Sequence, residues 1–164
     1  MDYINLIPLA GVIALIFVFI KNSSVSKKEV GNAKMAKIAK NIADGAMAFL
    51  KAEYKILSVF VIITSVLLAF KGINEGSSWL VAVSFVVGAL CSGLAGFIGM
   101  HVATKANVRT TNAAQDSLGK ALEIAFSGGS VMGMGVVGLG VLGVGSLFIF
   151  CLLYTSDAAD DQLG

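Results

Sequence analysis

Hydrophobic and polar positions fall into long blocks along this chain. Ile4 to Ile20 is apolar and closes at Lys21-Asn22. Leu50 to Phe70 completes a second apolar stretch, in which Ser58, Thr64 and Ser65 are the mid-helix polar groups. Trp79 to Val102 and Ile124 to Phe150 carry no charged residue. A soluble core helix has no need of such lengths, whereas about 20 apolar residues cross a bilayer. The pattern predicts an all-α, polytopic transmembrane helical bundle. Its four spans lie at about 4–20, 50–70, 79–103 and 122–150.

The segments between the spans differ from one another. From Lys21 to Lys55 the chain is basic, with eight lysines against Glu29, Asp44 and Glu53. Ser26-Lys27-Lys28-Glu29 has the spacing of a capping box, in which a serine oxygen and a glutamate satisfy each other's first-turn amides. Downstream, Met35, Ile38, Ile42 and Phe49 recur at helical spacing, so a helix runs into the second span. Packing against neighbouring helices is the expected use of that face, with lipid-surface binding the alternative. Lys71 to Ser78 reads as a short turn, and Trp79 has the position of an interfacial tryptophan. Lys105 to Ala114, with two cations and no acid, reads as a short basic loop before the fourth span.

Composition agrees with the pattern. Of 164 residues, 57% are hydrophobic and 13% charged, against roughly 25% charged in a soluble domain. All 12 cations but only seven of the ten acids precede residue 151. The excess sits in the polar segments and sets orientation, because cytoplasmic loops keep Lys and Arg. The N-terminus is expected outside, with residues 21–55 and 104–120 cytoplasmic and Glu75 outside. No basic stripe interleaves with stacking aromatics, so nucleic acid is not an expected partner. Cys91 and Cys151 give no disulfide framework and no metal spacing. The first apolar segment has no cation before it and no A-x-A site after it, so it is read as a retained helix and not a secretory signal.

The fourth span holds Gly128, Gly129, Gly133, Gly135, Gly138, Gly140, Gly143 and Gly145. In lipid, such residues let backbones approach closely, and Gly129 with Gly133 forms a small-x-x-x-small pair. A glycine-rich phosphate cradle would need a strand-turn-helix context that is missing. His101 reads as a structural interfacial residue, since a proton relay needs intramembrane partners. Arg109 is expected on a headgroup or carboxylate, and Glu123 at the positive end of its helix.

Three blocks in order carry a resemblance: I-A-D-G-A-M-A-F-L-K-A-E-Y-K from Ile42, G-F-I-G-M-H-V-A-T-K-A-N-V-R-T from Gly96, and A-F-S-G-G-S-V-M-G-M-G from Ala125. They resemble the membrane-bound, ion-translocating inorganic pyrophosphatases. That resemblance implies a protein of about sixteen spans, a homodimer when complete. It hydrolyses inorganic pyrophosphate with Mg²⁺, with K⁺ and Na⁺ as further ions, and pumps Na⁺ or H⁺ out of the cytoplasm. Its substrate motifs begin beyond the fourth span, so residues 1–150 are expected to be scaffold. No catalytic, cofactor-binding or metal residue is assigned, and no Mg²⁺ is expected to be bound here. Besides lipid, the expected partners are the remaining helices of the full-length protein. Residues 151–164 depart from the preceding pattern and look like translated sequencing-adapter read-through. Among other classes, rotor-ring hairpins and small four-helix exporters want a carboxylate in mid-span, which these spans lack. A non-catalytic accessory subunit stays compatible with the residues.

Overall fold

Long uninterrupted helices follow directly from a sequence whose one proline sits near its start. The structure, a computed structural model, describes residues 6–74 and 79–160, with side chains from 6 to 72 and from 79 to 151. Asp2, Glu75 and Asp161 lie outside the described residues. The helices are α1 (Leu6–Ser26), α2 (Ala33–Asn74), α3 (Leu80–Ala114) and α4 (Leu118–Asp160). Each is long and apolar enough to cross a membrane. Pro8 lies in the first turn of α1, where its missing N–H costs little.

One expected loop is helix. The stretch from Lys105 to Ala114 continues α3 without a break, and only Gln115 to Ser117 separates α3 from α4. It is alanine-rich and has neither glycine nor proline, so losing hydrophobicity there does not lose helix propensity. The Ser26 capping box does not form either. Ser26 is the last residue of α1, and the Lys27 and Lys28 amides bond back to carbonyls of Ser23, Ser24 and Val25. The α2 cap is Asn32, whose Oδ1 accepts the Met35 amide at 3.0 Å, as an N-cap side chain should. Gly31 makes the reversal at φ +93°, a conformation that side chains oppose.

The helices pack in the order α2, α3, α4, α1, with a light contact between α1 and α3. Consecutive helices α1 and α2 do not touch. Val18, Val102 and Val131 form the common core of α1, α3 and α4, with Ile98 beside them. Outside it the surface is apolar: Phe19 is 77% and Ile56 74% exposed, which fits hydrocarbon and not water.

The glycines of α4 divide into two sets. A methyl at Gly138 would come within 3.1 Å of the Ala14 side chain and 3.2 Å of the Gly11 carbonyl oxygen. One at Gly11 would lie 2.8 Å from Leu142. Gly128 and Gly143 meet Ala106 and Cys91 of α3 in the same way, and Gly145 meets Ile7. Gly129, Gly133 and Gly140 have nothing within 4 Å. At the expected Gly129–Gly133 pair a side chain would therefore meet neither α1 nor α3, and the close crossing runs through Gly138 instead.

Candidate functional site

Polar side chains gather at one end of the bundle, where α1 stops, α2 starts, and α3 turns into α4. Arg109 ties that end together. Its Nε donates to the Lys28 carbonyl at 3.0 Å, its Nη2 to the Ser26 carbonyl at 3.0 Å, and its Nη1 to the Lys105 carbonyl of its own helix at 2.8 Å. The last carbonyls of a helix lack partners and carry partial negative charge, so a guanidinium there both bonds and neutralises. The headgroup or carboxylate partner expected from sequence is thus replaced by backbone. Asn112 sits directly against Gly31, and Gln115 Nε2 reaches Met35 Sδ at 3.4 Å. The α1–α2 turn rests on the last turns of α3.

Around this knot the charges are exposed. Lys120 pairs with Asp116 at 3.2 Å within one turn, and Lys28 approaches Glu123 at 3.8 Å. Ser117 Oγ accepts the Lys120 amide, capping α4. Pairs this exposed contribute little. His101 is half-buried and stacked on Phe97 at 5.9 Å, a packing role.

A second polar contact lies far from that end. Tyr54 of α2 donates its hydroxyl to the carbonyl of Gly93 on α3, and its oxygen lies 3.1 Å from where a Cβ on Gly96 would be. Sequence reading missed this contact. The signals were a tyrosine hydroxyl next to an apolar run, which must find an acceptor, and two glycines three residues apart that open one.

Two grooves open beside α3. The α2 side, about 190 Å³, is lined by Ile38, Ile42, Thr104 and Val108. The α4 side, about 350 Å³, is lined by Asn107, Thr110, Gly128 and Met132. Neither presents a carboxylate or an ammonium. Among the described residues no three His, Cys, Asp or Glu side chains are placed to share a metal ion. Divalent-metal phosphate chemistry needs several carboxylates on one ion, so these residues do not fit Mg²⁺.

Comparison with known proteins supplies what the site does not. A family model described as inorganic H⁺ pyrophosphatase matches residues 12–162. The chain is 58% identical over 127 residues to a putative K⁺-stimulated pyrophosphate-energized sodium pump of Clostridium tetani, covering 77% of this chain and 18% of that protein. It is 44% identical over 142 residues to a K⁺-insensitive pyrophosphate-energized proton pump of Methanosarcina mazei, covering 87% and 21%. Against a K⁺-stimulated pyrophosphate-energized sodium pump of Thermotoga maritima the identity is 39% over 132 residues, covering 79% and 17%. The chain spans about a fifth of the length of these relatives.

Proposed function

The chain belongs to the inorganic H⁺ pyrophosphatase family, and from that premise we propose that it forms part of a membrane pyrophosphatase. The complete protein would couple hydrolysis of inorganic pyrophosphate to export of Na⁺ or H⁺. In this reading the four helices are scaffold. Carboxylates and lysines around Mg²⁺ elsewhere in the full-length polypeptide do the chemistry, and the remaining helices and a second copy complete the assembly. The observation that carries the reading is the family match over four membrane-length helices, joined, among the described residues, to carboxylates too dispersed for a metal centre.

Orientation follows from charge. Lys27, Lys28, Lys105, Arg109 and Lys120 lie at the end where α1 stops and α4 starts, and basic ends stay in the cytoplasm. The N-terminus is then outside, in the cell membrane. Lys34→Cys should resist an impermeant thiol reagent in intact cells while Glu75→Cys reacts. The reverse pattern would invert the topology.

Function is tested with the uninterrupted gene product in inverted vesicles. Pyrophosphate with Mg²⁺ should drive either Na⁺ uptake or acidification, and neither signal would defeat the proposal. Residues 1–164 alone, in lipid with Mg²⁺, K⁺ and Na⁺, should release phosphate no faster than empty liposomes. Transition-state stabilisation for phosphoryl transfer comes almost wholly from metals and cations around the equatorial oxygens, and the fragment cannot assemble them.

A further inference from the structure

Helix α3 is flanked by α2 on one side and by α4 on another, and α2 makes no close backbone contact with α4 or α1. Two strips of α3 are therefore left uncovered, and their chemistry differs. One carries Val83, Leu90 and Leu94, all exposed and recurring at helical spacing. Aliphatic groups of that size are at home against lipid tails. The other strip lies between α2 and α4 and carries Ser92, Gly96, Ala103 and Asn107, again exposed and at helical spacing.

Asn107 and Thr111 line both grooves described above, so the two grooves open on the shoulders of this one strip. Together they form a trough with α3 as its floor, α2 as one wall and α4 as the other. Helix α4 turns its open glycines to the same side. Gly129 lines the groove beside Ala103 and Asn107, and Gly133 and Gly140 follow at helical spacing. A methyl at any of the three would meet nothing within 4 Å. The outer back of α4 instead carries Phe126, Val137 and Val144, all exposed. Bulk thus marks the sides that suit lipid, and the trough lacks it. Glycine costs helix propensity and returns packing only where another backbone comes close. In the α2 wall, Ile38 and Ile42 are exposed apolar groups on a stretch shared with Lys34, Lys37 and Lys40, which suits a protein cover better than lipid or water.

We propose that this trough seats one transmembrane helix from the rest of the full-length polypeptide, packed on Ser92 and Ala103 of α3 and on Gly129 and Gly133 of α4. The trough floor runs along uncharged stretches of α3 and α4. An occupant in hydrocarbon must satisfy its own backbone, as a helix does. Resting on α3, it touches α2 and α4 at once. Its seated face is apolar over the glycines and carries a hydrogen-bonding group at the level of Asn107. Among the described residues the Asn107 side chain has no hydrogen-bond partner, and a polar group covered by protein is paired. The polypeptide has the length to supply this helix, because the chain spans about a fifth of the relatives it matches. The inference rests on the chain being part of such a longer membrane protein.

The test is disulfide trapping in the full-length protein, in a background free of other cysteines. Under mild oxidation Gly133→Cys should join a cysteine scanned along one membrane segment beyond α4, within a single polypeptide. Val137→Cys, on the outer back, should join none. If Gly133→Cys joins no segment, the trough faces lipid and the proposal falls. Trapping as strong at position 137 would also defeat it, and a link between two polypeptides would assign the trough to a second copy instead. Bulk gives an independent reading. Gly133→Leu should lower the monodisperse yield after detergent extraction several-fold, while Val137→Phe leaves it unchanged. Because a side chain at 133 meets none of the other three helices, that loss reports on the missing partner. Equal yields would overturn the seating on α4. Pyrophosphate hydrolysis by the unmodified protein is scored separately, so absent turnover defeats the functional reading and leaves the trapping to judge this one.

Discussion

The contact between α1 and α4 and the contact between α2 and α3 solve the same problem by opposite means. Neither can draw on the hydrophobic effect in lipid, where tails are as apolar as leucine. Between α1 and α4, side chains are removed: Gly11 and Gly138 bring the two backbones together, so dispersion acts over a close and extended surface. Between α2 and α3, a side chain is added: Tyr54 reaches across to the Gly93 carbonyl, and the glycine at 96 makes room for its hydroxyl. The first design tolerates no added bulk anywhere along its crossing. The second depends on one hydroxyl and tolerates variation around it.

The largest effect should come from bulk in the crossing. Gly138→Leu in the 1–164 chain would drive Ala14 and Leu15 outward, overpacking that typically costs about 1–3 kcal/mol and occasionally more. Cross-linking between cysteines placed on α1 and α4 should drop several-fold, whereas Gly133→Leu, with nothing within 4 Å, should leave it unchanged. Equal responses would erase the distinction between the two sets of glycines. Next comes Arg109→Ala. Hydrogen bonds to a charged group are each worth about 1.5–3 kcal/mol, and this change frees the Ser26 and Lys28 carbonyls. Hydrogen exchange should rise in residues 25–31 and stay unaltered around Gly138. Arg109→Lys should recover only part of the protection, since one ammonium cannot reproduce the fork. Smallest is Tyr54→Phe, which removes a single neutral bond worth about 0.6–1.7 kcal/mol in a membrane. It should loosen α2 from α3, seen as easier cross-linking of α2 to lipid probes, without touching α1–α4 cross-linking. A loss as large as that of Gly138→Leu would mean that both contacts depend on polar bonding.

How much of this could be read from the chain depends on what hydropathy measures. Four spans, their order and the helix running into the second were legible, because each rests on a long unbroken apolar block. Helix ends were not. Lys105 to Ala114 leaves the apolar block yet keeps helix propensity, so it looked like a loop. Ser26 and Asn32 are both acceptable caps, and the choice fell to Asn32 because Arg109 holds the Ser26 carbonyl as the end of α1. The facing of the glycines was illegible for a different reason. Eight glycines in 18 residues touch every side of α4, and only the positions of α1 and α3 decide which are close.

The order in which the helices pack differs from the order in which a ribosome makes them. The partner that closes on Gly11 is Gly138, 127 residues later in the chain. At roughly 5–20 residues per second, synthesis takes about 6–25 s to deliver it. Through that interval α1 lacks its main partner, because α2, which arrives first, makes no close backbone contact with it and α3 gives it only a light one. A newly made α1 must therefore wait in the bilayer with its α4-facing line uncovered. Its sequence suits the wait: apart from the narrow buried line of Gly11, Ala14 and Val18, its sides carry large aliphatic and aromatic groups that lipid solvates well. The line itself is made of small residues, which leave little unsatisfied surface while it stays uncovered.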